Sequence, residues 1–331
     1  MGFRARKTFK VAGVRMTVTP RGVGYSVGGR GYRVSRSATG RVSRTISLPG
    51  TGLSHNQTLL PAARRRGHVS APSAVLAAVS PGLFAPKWEK ALYKALVSHP
   101  DLTEVPAIAT EHKGSAALAE VLQGVGAMNR DDRILARELL SRSFAAGFDP
   151  ATHPFMQKYA ALAEITIAVA DGISAQLPLD RDAVGLVLAE LHQAAGDLAA
   201  AVAVVEDLTP TTVTAVSLAE LYTAQRRWEL IVSLTDGIRN EDDASTFLLI
   251  QRGIALREEG HYDAAREALK EALRIRSRSA GLRHRALVER AAVHLAQGKA
   301  GLARKDLEKV YAEDSSYPGL TDTMAGLPPA R

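Results

Sequence analysis

Residues 246–277 read TFLLIQRGIALREEGHYDAAREALKEALRIRS, and their spacing decides the fold class. Leu249, Gly253 and Leu256 recur with helical period on one segment. Gly260 interrupts it, and Tyr262, Ala265, Leu269 and Ala272 carry the period through a second. Glycine suits the break because it adopts the left-handed backbone that ends a helix without steric cost. The small residues Gly253 and Ala265 let two helices approach closely, while Tyr262 and Leu269 fill the space against a neighbouring pair. One pair cannot bury its own apolar face, so the pattern predicts a stack of several.

Weaker copies flank it at slightly uneven intervals. Arg226-Arg227-Trp228 stands one repeat before Gly260, with Ala219 and Tyr222 ahead of it and Ile231 after. Gly196-Asp197-Leu198 lies a somewhat shorter repeat earlier, followed by Ala201, Val205 and Leu208. Gly298-Lys299-Ala300 lies a somewhat longer repeat after Gly260, with Leu287, Ala291, Ala303, Leu307 and Val310 in matching places. Residues 181–313 thus resemble the tetratricopeptide-repeat (TPR) family. The resemblance implies a mainly α fold, a right-handed α-solenoid of TPR-like helical hairpins. Upstream, 86–180 reads as more divergent helical pairs of the same kind. Its first helix presents Trp88, Leu92, Ala95 and Leu96 on one face and ends near Pro100, and further helices are expected at about 114–123, 131–146 and 154–170. Residues 314–331 read as a C-terminal tail.

The 331 residues are 46% hydrophobic and 23% charged, ordinary for a folded chain of roughly two domains. With no cysteine, disulfides, thiol catalysis and thiolate metal sites are excluded. The net charge of +8 is uneven: residues 1–88 carry 15 Lys/Arg and no acid, and the remainder carry 27 Lys/Arg against 34 Asp/Glu. Up to Ser54 the chain is glycine-rich and alternates with period two. Val14, Met16 and Val18 stand opposite Arg15, Thr17 and Thr19, Tyr32 and Val34 opposite Arg33 and Ser35, and Val42, Ile46 and Leu48 opposite Arg41, Ser43, Thr45 and Ser47. Pro20-Arg21-Gly22, Gly28-Gly29 and Ala38-Thr39-Gly40 supply turns. A small antiparallel β domain over 1–54 follows, then a basic, proline-containing linker over 55–85. Met1-Gly2-Phe3-Arg4-Ala5-Arg6-Lys7 and Leu48-Pro49-Gly50-Thr51-Gly52-Leu53-Ser54 resemble the opening and closing motifs of a small bacterial domain of unknown function. That resemblance implies a β-module with a variable downstream region, and no activity.

Motifs that could carry chemistry fail on context. Gly24-Tyr25-Ser26-Val27-Gly28 has the nucleophile-elbow spacing, but that chemistry needs a strand-to-helix turn, and Ser26 sits among short strands. Leu48-Pro49-Gly50-Thr51-Gly52 mimics a sorting signal but lies far from the C-terminus, and reads as a turn. No phosphate-binding loop or His-Glu-x-x-His is present, and no two of the nine histidines fall three to five apart. Asp131-Asp132 and Glu241-Asp242-Asp243 stand where helices begin, where acids favour the helix dipole. The N-terminus lacks the apolar run of a signal peptide, and the longest apolar stretch, 71–85, is broken by Pro72, Pro81 and Gly82. The expectation is a cytoplasmic protein that is not an enzyme and needs no metal or cofactor.

The favoured function is therefore a non-catalytic scaffold or adaptor that takes a protein or peptide partner. Family geometry puts the first helix of each pair along a concave groove. Turn spacing then selects Leu186, Glu190 and Gln193, next Val213, Val216, Glu220 and Thr223, then Ile250, Ile254 and Arg257, and finally Arg285 and Val288. The row runs from acidic to basic and would orient an extended peptide. A second possibility is a nucleic-acid- or anionic-surface-associated factor using Arg4, Arg6, Lys7, Lys10, Arg15, Arg30, Arg33, Arg64, Arg65 and Arg66 to track phosphates, with Phe3, Phe9, Tyr25 and Tyr32 among these residues to stack on bases. Arg274, Arg276, Arg278, Arg283, Arg285 and Arg290 form another basic cluster at a repeat junction.

Overall fold

The computed structural model describes residues 80–98, 102, 104–161, 163–170 and 173–327 in full or nearly so. Of residues 1–79 it describes strand backbone alone: six strands between Lys7 and Leu60 paired antiparallel in chain order, and Ser70–Ala74. The side chains expected to form that region's core and basic face, and Arg64, Arg65 and Arg66, lie outside the described residues. Strand Ser54–Leu60 falls inside the segment expected to be linker, and pairs with Val42–Ser47. Met1–Arg66 and Gly67–Arg331 are separate compact units.

The second unit is mainly helical. Among the described residues are α1 (Lys87–Ser98), α2 (Val105–Glu111), α3 (Ala116–Asn129), α4 (Arg133–Ala145), α5 (Pro154–Tyr159), α6 (Arg181–Ala194) and α7 (Leu198–Glu206). They continue as α8 (Thr212–Ala224), α9 (Trp228–Leu234), α10 (Asp243–Glu258), α11 (Tyr262–Ala272), α12 (Ala280–Ala296), α13 (Ala300–Glu313) and α14 (Leu320–Ala325). Five of the connections share one geometry. After α3, α6, α8, α10 and α12 a single residue turns left-handed: Asp131, Gly196, Arg226, Gly260 and Gly298, with φ of 61°, 82°, 57°, 81° and 71°. The next amide then reaches back five residues to the helix, as in His261 N–H to Leu256 O (2.8 Å) and Asp132 N–H to Ala127 O (2.9 Å). The left-handed residue's own amide bonds back as well, Gly260 N–H to Arg257 O and Asp131 N–H to Met128 O (both 3.0 Å), and this double closure satisfies carbonyls that a helix end leaves bare.

Counted from that residue, packing positions recur. Seven residues before it stand Gly124, Ala189, Ala219, Gly253 and Ala291; five after it stand Ala136, Ala201, Ile231, Ala265 and Ala303, and all ten are buried. Nine after it stand Leu140, Val205, Thr235, Leu269 and Leu307, again all buried. The two glycines show what this last position faces. A Cβ on Gly253 would sit 2.6 Å from Leu269 Cγ, and one on Gly124 2.6 Å from Leu140 Cδ2. The helices can approach this closely only because a side chain is missing. So α3/α4 is a full member of the series. The turn at Asp131 stands about two repeat lengths before that at Gly196 because a different structure intervenes.

That insertion corrects the helix expected at 154–170. Helix α5 ends at Tyr159, and Ala163–Ala170 is a strand paired antiparallel with Ile173–Pro178. In AEITIAVA, Ala163, Ile165 and Ile167 are buried and alternate with half-buried Glu164, Thr166 and Ala168. The period is two, and the β-branched residues suit it. Strand Ser70–Ala74 pairs on the other side of Ala163–Ala170. At the other end the expected tail contains α14, whose Leu320 is buried with Leu307 and Val310 in the last apolar cluster. The paired acids cap helices as expected: Asp132 accepts from Leu135 N–H (3.2 Å), and Asp242 forms a reciprocal capping box with Ser245.

Candidate partner-binding face

The expected row divides by burial. Leu186 (3% exposed), Val216 (0%), Ile250 (0%) and Ile254 (7%) are core residues and cannot line an open groove, which corrects their assignment. The last three lie on first helices that pack in succession, α8 against α10 and α10 against α12. These apolar side chains are used in holding the pairs together, so what remains towards solvent is polar. Glu190, Val213, Glu220, Thr223, Arg257, Arg285 and Val288 are half-buried, and Gln193 is exposed.

The charges expected at opposite ends of a partner face one another. Arg285 on α12 approaches Glu220 on α8 at 3.7 Å, with its guanidinium 5.0 Å from the centroid of the Phe247 ring on α10. Gln251 on α10, fully buried, donates to Glu220 (3.0 Å) while accepting from Thr223 Oγ1 (3.3 Å). Arg257 bonds Glu289 at 2.6 Å on α12 and Glu258 at 2.9 Å. Burial opposes the charge on Arg257, but Glu289 and Glu258 outweigh it and hold the guanidinium above its ordinary value. The result is a polar band tying three consecutive first helices together. The Arg257–Glu289 and Arg285–Glu220 pairs keep 19–30% of their side-chain surface in water, which screens them in part.

Phe247, Gln251 and Glu289, like Glu258, are absent from the expected row, and the first three have register counterparts. Register alone could have found them: Phe247 stands at the repeat position of Val213 and Arg285, and Gln251 at that of Glu289. The 163–178 hairpin is the unexpected apolar element. It packs against α6 and α8, and Ile173 joins the cluster of Val216, Phe247, Ile250 and Ile254, with Val169 and Ala170 partly buried against it. The basic cluster at the repeat junction is largely neutralised residue by residue. Arg274 pairs with Glu271, Arg283 with Glu313, Arg285 with Glu220, and Arg290 bidentately with buried Asp306 at 2.7 Å. Arg278 bonds the buried Asn240 side chain and carbonyl, both at 3.1 Å.

No group of three or more potential metal ligands occurs among the described residues. No helix among them is long and apolar enough to cross a membrane. The ten basic residues expected to meet anionic partners lie outside the described side chains.

Residues 3–56 match a family described as a protein of unknown function (DUF4236). No curated protein matches the chain. Among solved structures, the chain is similar to the N-terminal domain of the EccA1 ATPase from the ESX-1 secretion system of Mycobacterium tuberculosis, at 16% identity. That likeness covers 72% of this chain and 87% of the other, with a TM-score of 0.49. It is also similar to TTC0263, a thermophilic TPR protein of Thermus thermophilus, at 17% identity over 63% of this chain and 97% of that one (TM-score 0.39). BtubC (BKLC) from P. vanneervenii is 15% identical over 74% of this chain and 95% of its own, with a TM-score of 0.43.

Proposed function

We propose that the chain is a non-catalytic interaction scaffold whose TPR-like repeat domain takes a protein or peptide partner. The observation that supports this reading is the shared register of five helix pairs, with one polar band carried across the first helices α8, α10 and α12. A row of polar side chains repeated from one helix pair to the next suits an extended polypeptide. On this reading Glu190, Gln193, Glu220, Thr223, Arg257, Arg285 and Val288 are the partner contacts. Leu186, Val216, Ile250 and Ile254 instead hold the repeats in place. The unit Met1–Arg66, whose sheet runs on to the strand Ser54–Leu60, acts as a separate β domain, by the resemblance of residues 1–54 to the bacterial family of unknown function.

The test is charge reversal on intact protein. Crosslinked capture from host extract is compared between the parent, Glu220→Lys with Arg257→Glu, and the same exchange on α11 at Arg266 and Glu267. The first variant should lose its partner with unchanged circular dichroism, and the second should keep it. Equal capture by all three places the partner elsewhere. Recovery of nucleic acid alone, removed by salt, would favour the basic N-terminal region instead.

A further inference from the structure

The hairpin at 163–178 is held in two ways along its length. At its base Ala163, Ile165 and Ile167 are buried in the apolar cluster that also contains Leu122, Phe155, Tyr159, Leu186 and Leu188. Burial fades towards the far end, where Ala168, Val169 and Ala170 are all half-buried. On the return strand Ile173 is buried (7% exposed) but Ser174, Gln176 and Pro178 are exposed, and Ala175 and Leu177 are half-buried. Ile173 belongs to a different cluster from the base. Its companions there include Val216, Phe247, Ile250 and Ile254, from the first helices α8 and α10. Three of these are the positions that repeat register assigns to the groove.

We propose that the far end of this hairpin is a built-in occupant of the first-helix face, latched by Ile173, and that the segment able to displace it is an extended apolar strand. The chemistry follows from what is seated there. Two β-branched side chains meet that cluster, buried Ile173 and half-buried Val169, and the small residues Ala168, Ala170 and Ala175 beside them let a backbone lie close to the helices. The strand Ile173–Pro178 carries no charged residue, and among the described residues its outer edge pairs with no other strand. Charge is the usual protection of such an edge. The third strand, Ser70–Ala74, pairs no further along than Thr166, so the far end is two-stranded; such a ribbon has little stability of its own and is held by that packing while its base remains in the core. Local opening of this kind lies well below global unfolding in free energy. The displacing-strand half of the inference rests on the interaction reading above; the opening of the latch does not.

The chain lacks cysteine, so a single introduced thiol reports on one position. Maleimide labelling of the full-length Val216→Cys protein is compared with Val205→Cys, a site 1% exposed on α7. Val216→Cys should label about tenfold faster or more, since latch opening suffices for it while Val205→Cys waits for a larger unfolding. Adding Ile173→Asp should accelerate the first about tenfold again and leave the second nearly unchanged. Ile173→Ala serves the same comparison if the aspartate prevents folding. Equal rates at the two sites, with equal response to Ile173 substitution, would make the hairpin end permanent core and overturn the latch. A synthetic peptide of residues 173–178, ISAQLP, should then slow labelling of the Val216→Cys, Ile173→Asp protein, while the peptide with its isoleucine replaced by aspartate should not. Equal rates with both peptides at millimolar concentration would overturn the extended apolar occupant while leaving the interaction reading to the capture experiment.

Discussion

The helix pair α3/α4 and the pair α10/α11 have the same geometry written in different residues. Both turn through a left-handed residue, glycine at 260 and aspartate at 131. Both close that turn with the same pair of backbone hydrogen bonds. Both place a glycine seven residues before it against a leucine nine residues after it. Only α10/α11 advertises itself, because its turn glycine is the most visible sign of a helix end. The comparison teaches that the repeat is defined by a distance constraint between two helices, and that turn chemistry is one replaceable part of it.

The comparison breaks first at the interhelix contact. Leu269→Ala and Leu140→Ala both empty a site facing a bare helix backbone, and each should cost about 2–5 kcal/mol by urea denaturation. A loss at Leu269 alone would show that α3/α4 is not held as α10/α11 is. Next comes overpacking: Gly253→Leu and Gly124→Leu each force a side chain into a leucine 2.6 Å away, with an expected loss of about 1–3 kcal/mol or more. An unchanged melting temperature for Gly253→Leu would overturn the crossing assignment.

Turn exchange is gentler and runs in both directions. Asp131→Gly and Arg226→Gly relieve left-handed strain and should raise stability by up to about 1 kcal/mol, whereas Gly260→Asp should lower it by a similar amount. Thermal melts of the three variants suffice, and stabilisation by Gly260→Asp would contradict the shared turn.

The smallest effect is pH dependence, and it separates repeats otherwise alike. Four residues before the turn stand Ala127, His192, Tyr222, Leu256 and His294. Burial lowers the pKa of both histidines, more than Asp197 beside His192 or Asp306 beside His294 raises it; Arg137 adds to the lowering at the first and Arg290, Arg266 and Lys299 at the second. The folded state therefore prefers neutral imidazole. Its stabilising share is complete above the ordinary value of 6.5 and is lost as pH falls from there through the folded value. Melting temperature should fall modestly from pH 7 to pH 5, and His294→Leu, which installs the residue found at 256, should flatten that fall. An identical slope in His294→Leu would remove His294 from the account.

Much of the repeat architecture is legible in the residues alone. The turn positions at 196, 226, 260 and 298 follow from periodicity around one glycine-marked pair, and the structure makes all four left-handed. Caps at Asp132 and Asp242 follow from acids placed before apolar periods. These features are local: backbone conformation and helix period depend on residues within a turn or two. The first strand of the hairpin is also written there, in the alternation of AEITIAVA. It escapes a reading by pattern because a short run of alanine, isoleucine and valine fits either period.

What the tertiary structure alone decided is the character of the first-helix face. Spacing identifies which residues point towards it, but the spacing is the same whether the neighbour is water, another helix or the chain's own hairpin. Val216, Ile250 and Ile254 are buried because adjacent pairs and an inserted strand, a whole repeat or more away along the chain, come within contact distance. Glu220 and Arg285, two repeats apart in the sequence, pair for the same reason. Burial and ion pairing are sums over neighbours brought together by the stack, and such sums are set by distances in space that no local period contains.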